Sequence, residues 1–136
     1  MSGFVLHLQG ATQYERIEDV RSFVGEDASG AFGILPGHAR FMTSLLFGLA
    51  RFRTGEGGWQ FLALPGALLD FSDNALYLCA RRYLRDPDYA RISAALEQQL
   101  LAEEQDLRGM KESLRRMEEG MLRRLWQMRR AARTLR

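Results

Sequence analysis

The stretch Ser29-Gly30-Ala31-Phe32-Gly33-Ile34-Leu35-Pro36-Gly37-His38-Ala39-Arg40 decides how the rest of the chain is read. Three Gly and one Pro force tight backbone geometry there, beside the apolar Phe32, Ile34 and Leu35. A rigid loop of this kind with a polar tip reads as a docking surface. On both sides of it the apolar residues recur every second position. Phe4, Leu6 and Leu8 alternate with Val5, His7 and Gln9, and Ala50 and Phe52 alternate with Arg51 and Arg53. Trp59, Phe61 and Ala63 alternate with Gln60, Leu62 and Leu64, and Leu76, Leu78 and Ala80 with Tyr77, Cys79 and Arg81. That period marks strands with one buried face. Gly55-Glu56-Gly57-Gly58 reads as a hairpin loop, and Pro65-Gly66 and Asp73-Asn74 read as turns. Closely spaced strands with no helical pattern between them predict an antiparallel β-sandwich or barrel over residues 1–84.

The period changes at Asp86-Pro87-Asp88, where Pro suits a first helical turn and an acid suits the positive end of the helix dipole. Tyr89, Ile92, Leu96 and Leu100 form one apolar face, and Leu107, Met110, Leu114, Met117 and Met121 form a heptad-like stripe. The stripe continues through Met128, Ala131 and Leu135 and is interrupted by Arg124. Glu103-Glu104-Gln105-Asp106 puts acids between the two faces. Residues 85–136 are therefore helical, either as a hairpin turning over 104–109 or as one helix. A single helix over 88–133 would be about 69 Å long. The weak break at Gly109 tilts the choice towards the hairpin. The fold class is α+β, a sandwich followed by a helical region.

The 136 residues sum to a net charge of only +2, but the charge is unevenly distributed. Residues 121–136 hold six Arg (123, 124, 129, 130, 133 and 136) and no acid, which leaves the rest of the chain acidic at −4. Lys111 is the only lysine. One Cys excludes a disulfide framework, and two His without acids or Cys at ligand spacing exclude an obvious metal site. Cys79, in an apolar run, reads as a buried small residue, and His7 needs no special role. No run is apolar enough to span a bilayer, and the N-terminus lacks the pattern of a signal peptide. The expectation is a soluble protein of a reducing compartment. There is no phosphate-binding GxxxxGK[ST], no GxGxxG and no GxSxG. Asp70 with Asp73, and Glu18 with Asp19, read as solvated edges and turns. Nothing argues for catalysis.

The Gly30 to Leu45 segment resembles the GxxGILPGHAxxxxxL signature of the epsilon subunit of F-type ATP synthases. The resemblance extends over essentially the whole chain, with an initial strand, a Val-bearing strand before the glycines, and Thr43-Ser44-Leu45 and Gly48-Leu49-Ala50-Arg51-Phe52 after them. It departs at Leu64-Pro65-Gly66-Ala67, where many members carry Ser-Gly-Gly. It implies a non-catalytic rotor subunit whose sandwich binds the gamma subunit and rests on the c-ring, with Gly30, Ala31, Phe32, Gly33, Ile34, Leu35, Pro36, Gly37 and His38 near the ring and Ala31 and Phe32 at the tip. It implies that the helical region restrains ATP hydrolysis when Arg123, Arg124, Arg129, Arg130 and Arg133 engage acidic segments of the beta subunits. Some members bind ATP through (Ile/Leu)-Asp-x-x-Arg-Ala. Here only Asp88 and Arg91 match, a degenerate site, so no cofactor is expected.

The place implied is the cytoplasmic face of a bacterial inner membrane, reached through the complex, with either proton or sodium coupling. The departures from the pattern and the Arg-rich tail resemble a divergent epsilon of an alternate, often sodium-linked ATPase. The alternative from residues alone is an Arg-rich coiled-coil adaptor for nucleic acid or an acidic protein. The sandwich contributes no basic stripe to support nucleic-acid binding. Without gamma, the apolar stripe predicts pairing within a hairpin or a homodimer.

Overall fold

The computed structural model describes residues 3–134, with side chains through residue 130. The nine strands are β1 Phe4–Gln9, β2 Tyr14–Asp27, β3 Gly30–Ile34, β4 Phe41–Leu45, β5 Gly48–Thr54, β6 Trp59–Leu64, β7 Ala67–Ser72, β8 Ala75–Cys79 and β9 Leu84–Asp86. They form the predicted sandwich, with hydrogen-bonded order β1-β8-β7-β4-β2-β5-β6-β9 and β3 attached to β2. All described pairings are antiparallel except β1 with β8, which run parallel from Val5 opposite Ala75 to Gln9 opposite Cys79.

Strand β2 belongs to both layers. Its first half pairs with β1, and from Val20 onwards it pairs with β5 and then with β3. The crossing depends on irregular registers near Asp19, a non-glycine residue at φ 55°. Bulges bend strands in this way, and Asp tolerates the left-handed conformation better than most residues. The Asp19 carboxylate accepts from the Gly3 N–H at 3.0 Å and the Arg21 Nε–H at 2.9 Å. Those bonds, the Gly3 amide first, hold its pKa below the ordinary value. Gly3 lies so close to β2 that a Cβ there would collide with the Val20 carbonyl oxygen.

The alternation read from the sequence fills the core. Phe4, Leu6, Leu8, Phe52, Leu76 and Leu78 are buried between the layers with Phe23, Ile34, Leu69 and Phe71. Phe4 and Phe71 meet edge to face at 5.4 Å. Strand β6 departs from a one-faced strand. Leu62 and Leu64 enter this core, while Ala63 and Phe61 face a second cluster with Ile92, Leu96 and Leu100. Those three residues come from α1 (Tyr89–Ala95) and a π-helical turn (Leu96–Leu101). The first compact unit therefore runs to Leu101. Asp88 caps α1 by accepting from the Arg91 N–H.

The second unit contains α2, Ala102–Thr134. Of the two helical arrangements the sequence left open, the hairpin with its turn over 104–109 does not form, because those residues lie inside α2. Gly109 costs a helix roughly 1 kcal/mol relative to Ala, and it has no positive φ with which to end one. From 108 to 130 every side chain is exposed.

Candidate docking surface

Strands β2 and β3 form a hairpin whose register, Asp27 opposite Gly30, leaves Ala28-Ser29 as the turn. The exposed tip is therefore Ala28-Ser29. Ala31 is exposed along β3, while Phe32 is half-buried and packs edge-on against Phe41 at 5.2 Å. Gly30 leaves the turn at φ 121°, in a region that favours glycine. Asp27 is buried beneath the turn. One carboxylate oxygen accepts from both the amide and the hydroxyl of Ser29, and the other accepts from the Thr43 hydroxyl at 2.7 Å.

The Ser29 hydroxyl, then Thr43, hold the Asp27 pKa below its ordinary 3.8. A carboxyl depressed in the fold stabilises it fully above the unfolded pKa and loses that contribution as pH falls through the folded one. Resistance to urea unfolding is therefore expected to fall as pH drops from about 5 to about 2. Asp27→Ala should be less stable than the parent at neutral pH and show a shallower dependence. An unchanged slope would exclude this role for Asp27.

After β3 the chain turns through Leu35, Pro36, Gly37 and His38. Gly37 has φ 80°, and its N–H donates to the Asn74 side-chain oxygen at 2.8 Å. The His38 N–H closes the turn on the Leu35 carbonyl at 3.1 Å. The His38 ring sits edge-on to Phe41 and Phe71, each 5.9 Å away. Gly30, Gly33, Ile34 and Leu35 thus share one hairpin and turn with Pro36, Gly37 and His38, tied to the β7–β8 turn. Ile34 is buried and anchors the segment, whereas Leu35 and His38 are exposed.

A neighbouring surface was not read from the sequence. The outward positions of β4, β7 and β8 are Met42, Ser44, Leu68, Asp70, Tyr77 and Cys79, and they line a shallow groove. Met42 and Leu68 are 64% and 66% exposed, so this sheet face is apolar where solvent favours polar groups. His7 extends it, stacked on Tyr77 at 4.5 Å and hydrogen-bonded to the Tyr14 hydroxyl at 2.6 Å. Cys79, expected in the core, is exposed on this face because Leu76 and Leu78 take the inward positions of β8. Apolar residues at both alternating positions of β7 and β8 were the available signal.

On α2, Arg123, Arg124, Arg129 and Arg130 are exposed. Arg133 lies in the same helix with its side chain outside the described residues, as does Arg136 altogether. Seven-residue spacing aligns Arg123 and Arg130 with Arg116, while Arg108, Arg115 and Arg129 run beside them. The basic face is longer than the Arg cluster of 121–136 suggested. Asp88 and Arg91 are engaged at the start of α1, Asp88 as the cap and Arg91 in an ion pair with Asp86 at 2.8 Å. Among the described residues no cluster could hold a metal ion, and no helix is long and apolar enough to cross a membrane.

Residues 6–86 match the family profile described as ATP synthase, Delta/Epsilon chain, beta-sandwich domain, which is more than half of the chain. The chain is 40% identical over 89 residues to the ATP synthase epsilon chain 2 of Cereibacter sphaeroides, covering 65% of this chain and 61% of that protein. It is 34% identical over 76 residues to the ATP synthase epsilon chain of Streptomyces griseus, covering 54% and 61%. The match thus spans about six-tenths of these relatives' length. Among solved structures, a chain of the Euglena gracilis mitochondrial ATP synthase OSCP/F1/c-ring assembly superposes with a TM-score of 0.58 at 16% identity, covering 72% of this chain and 64% of that one. A chain of the central stalk and c-ring of the Tetrahymena thermophila enzyme gives 0.50 at 10% identity, covering 62% and 69%. These two show the fold. With the sandwich matched along its length and the sequence relatives agreeing, the chain belongs to the delta/epsilon chain family of ATP synthases, and within it to the epsilon chains.

Proposed function

We propose that this chain is a non-catalytic central-stalk subunit that couples the catalytic head of an F-type ATP synthase to its ion-translocating ring and restrains ATP hydrolysis through α2. The sandwich supplies the docking. Its apolar face around Met42, Leu68 and Tyr77 suits the gamma subunit, and the turn at 35–38 with the Ala28-Ser29 tip suits the c-ring. Both surfaces are held by a closed sheet that binding need not reorganise, which lowers the cost of association. The subunit meets the membrane at the cytoplasmic face only through its partners.

The observation that carries the regulatory part is the exposed basic face of α2, from Arg108 through Arg130. Arg presents a planar fork that binds carboxylates in pairs, so such a face fits acidic segments of the beta subunits. Reassembling the complex with a subunit cut after Leu101 is expected to leave gamma binding intact and raise ATP hydrolysis several-fold. Unchanged hydrolysis, with the shortened subunit shown to be bound, would sink the inhibitory role. Two relatives, from Cereibacter sphaeroides and Paraburkholderia xenovorans, bear the name epsilon chain 2. That supports placing this chain in a second, divergent ATPase.

A further inference from the structure

The apolar seam of α2 has a self-complementary pattern. Met110, Leu114, Met117 and Met121 are each about 60% exposed, so nothing within the α2 unit itself covers the seam. It is flanked at one end by Leu107 and at the other by Arg124, which interrupts it. Charge along the helix is polarised. Glu103, Glu104, Asp106 and Glu112 lie near its start, whereas from 121 onwards the charged residues are all Arg.

We infer that α2 pairs with α2 of a second copy of this chain, antiparallel, with the centre of the pair between Leu114 and Met117. In that register Met110 lies opposite Met121, Leu114 opposite Met117, and Leu107 opposite Arg124 of the other copy. The sequence supports this register over a parallel one for two reasons. A parallel pair places each seam residue against its own equivalent, so Arg124 would face Arg124 inside the seam with its charge uncompensated. It would also align the two Arg-rich ends. The antiparallel pair instead sets each Arg-rich end beside the acidic start of its partner. It also brings Lys111, the only lysine, alongside Glu118 of the second copy on both sides of the centre. A seam of this length built on Met is adaptable and modest in affinity, so pairing depends on concentration. The inference is independent of the proposed action on hydrolysis, since it concerns the subunit by itself.

Sedimentation of the full chain is expected to show its mass rising from 15.6 kDa towards twice that with concentration. Leu114→Glu combined with Met117→Glu should hold it monomeric without shifting the melting of the sandwich. Orientation is read by spin labels at Gln105→Cys or Glu119→Cys in a Cys79→Ser background. Antiparallel pairing puts the labels at 105 about 30 Å apart along the axis and those at 119 about 10 Å apart. A chain that stays monomeric at all concentrations overturns the inference. So does a dimer that survives the double substitution, or a pair in which both labels give the same short distance.

Discussion

A chain cut after Leu84 is expected to melt well below one cut after Leu101, although both retain the sandwich core. The shorter chain loses most of β9 together with Ile92 and Leu100, which are 1% and 0% exposed against β6. Burying two such side chains contributes about 3–6 kcal/mol, a large share of the roughly 5–15 kcal/mol that holds a domain of this size. Its loss bares Ala63, Phe61 and Leu49 on the outer side of β5 and β6. The longer truncation removes only α2, whose described side chains beyond Leu107 are all exposed. Thermal melts followed by near-UV circular dichroism should therefore show the full chain and the 101-residue truncation unfolding together. Equal melting of the two truncations would mean that α1 and its π-helical turn add nothing to the sheet they cover.

The second large effect lies in the core beneath the turn at residues 35–38. Phe71 is fully buried, meets Phe4 edge to face, and gives the ring of His38 one of its two aromatic neighbours. Phe71→Ala removes a ring from the centre of a close-packed cluster, and such changes cost about 3–5 kcal/mol. The expected result in urea is a midpoint lowered in proportion, with the slope of the transition preserved. Phe71→Leu, which fills more of the space, should recover part of that loss. A loss below about 1 kcal/mol for the alanine variant would mean that the core closes over the gap, contrary to its close packing.

Much of this architecture was legible in the residues. Strict alternation in β1, β5 and β8 and the glycine and Asp-Asn turns marked the strands, and the stripe from Leu107 to Met121 marked a helix. The decisive segment 29–40 could be read both as local geometry and as a resemblance. Alternation alone could not reveal a strand covered on both faces. In β6 the residues from Leu62 to Leu64 are all buried, because a helix distant in sequence covers the side that the sandwich leaves open. The same ambiguity misplaced Cys79, since Leu78 and Cys79 are both apolar and only the register with β1 and β7 decides which faces inward. The tip of the hairpin shifted to Ala28-Ser29 because register depends on pairing across β2. The helix was not divided because nothing near Gly109 provides an end for one helix and a cap for the next. The basic face, by contrast, was available in the seven-residue spacing of Arg116, Arg123 and Arg130.

The parallel pairing of β1 with β8 bears on how the chain reaches this state. β1 can meet β2 as soon as both exist, but its other edge waits for residues about seventy positions later. Closing so large a loop before any reward from contact slows folding, and topology of this kind sets rates more strongly than length does. During synthesis the open edge of β1 and the underside of β2 remain without cover until Cys79 has emerged. The parallel β1–β8 edge is therefore the last seam of the ring of strands to close, and the interval before closure is when the chain is most exposed to wrong partners.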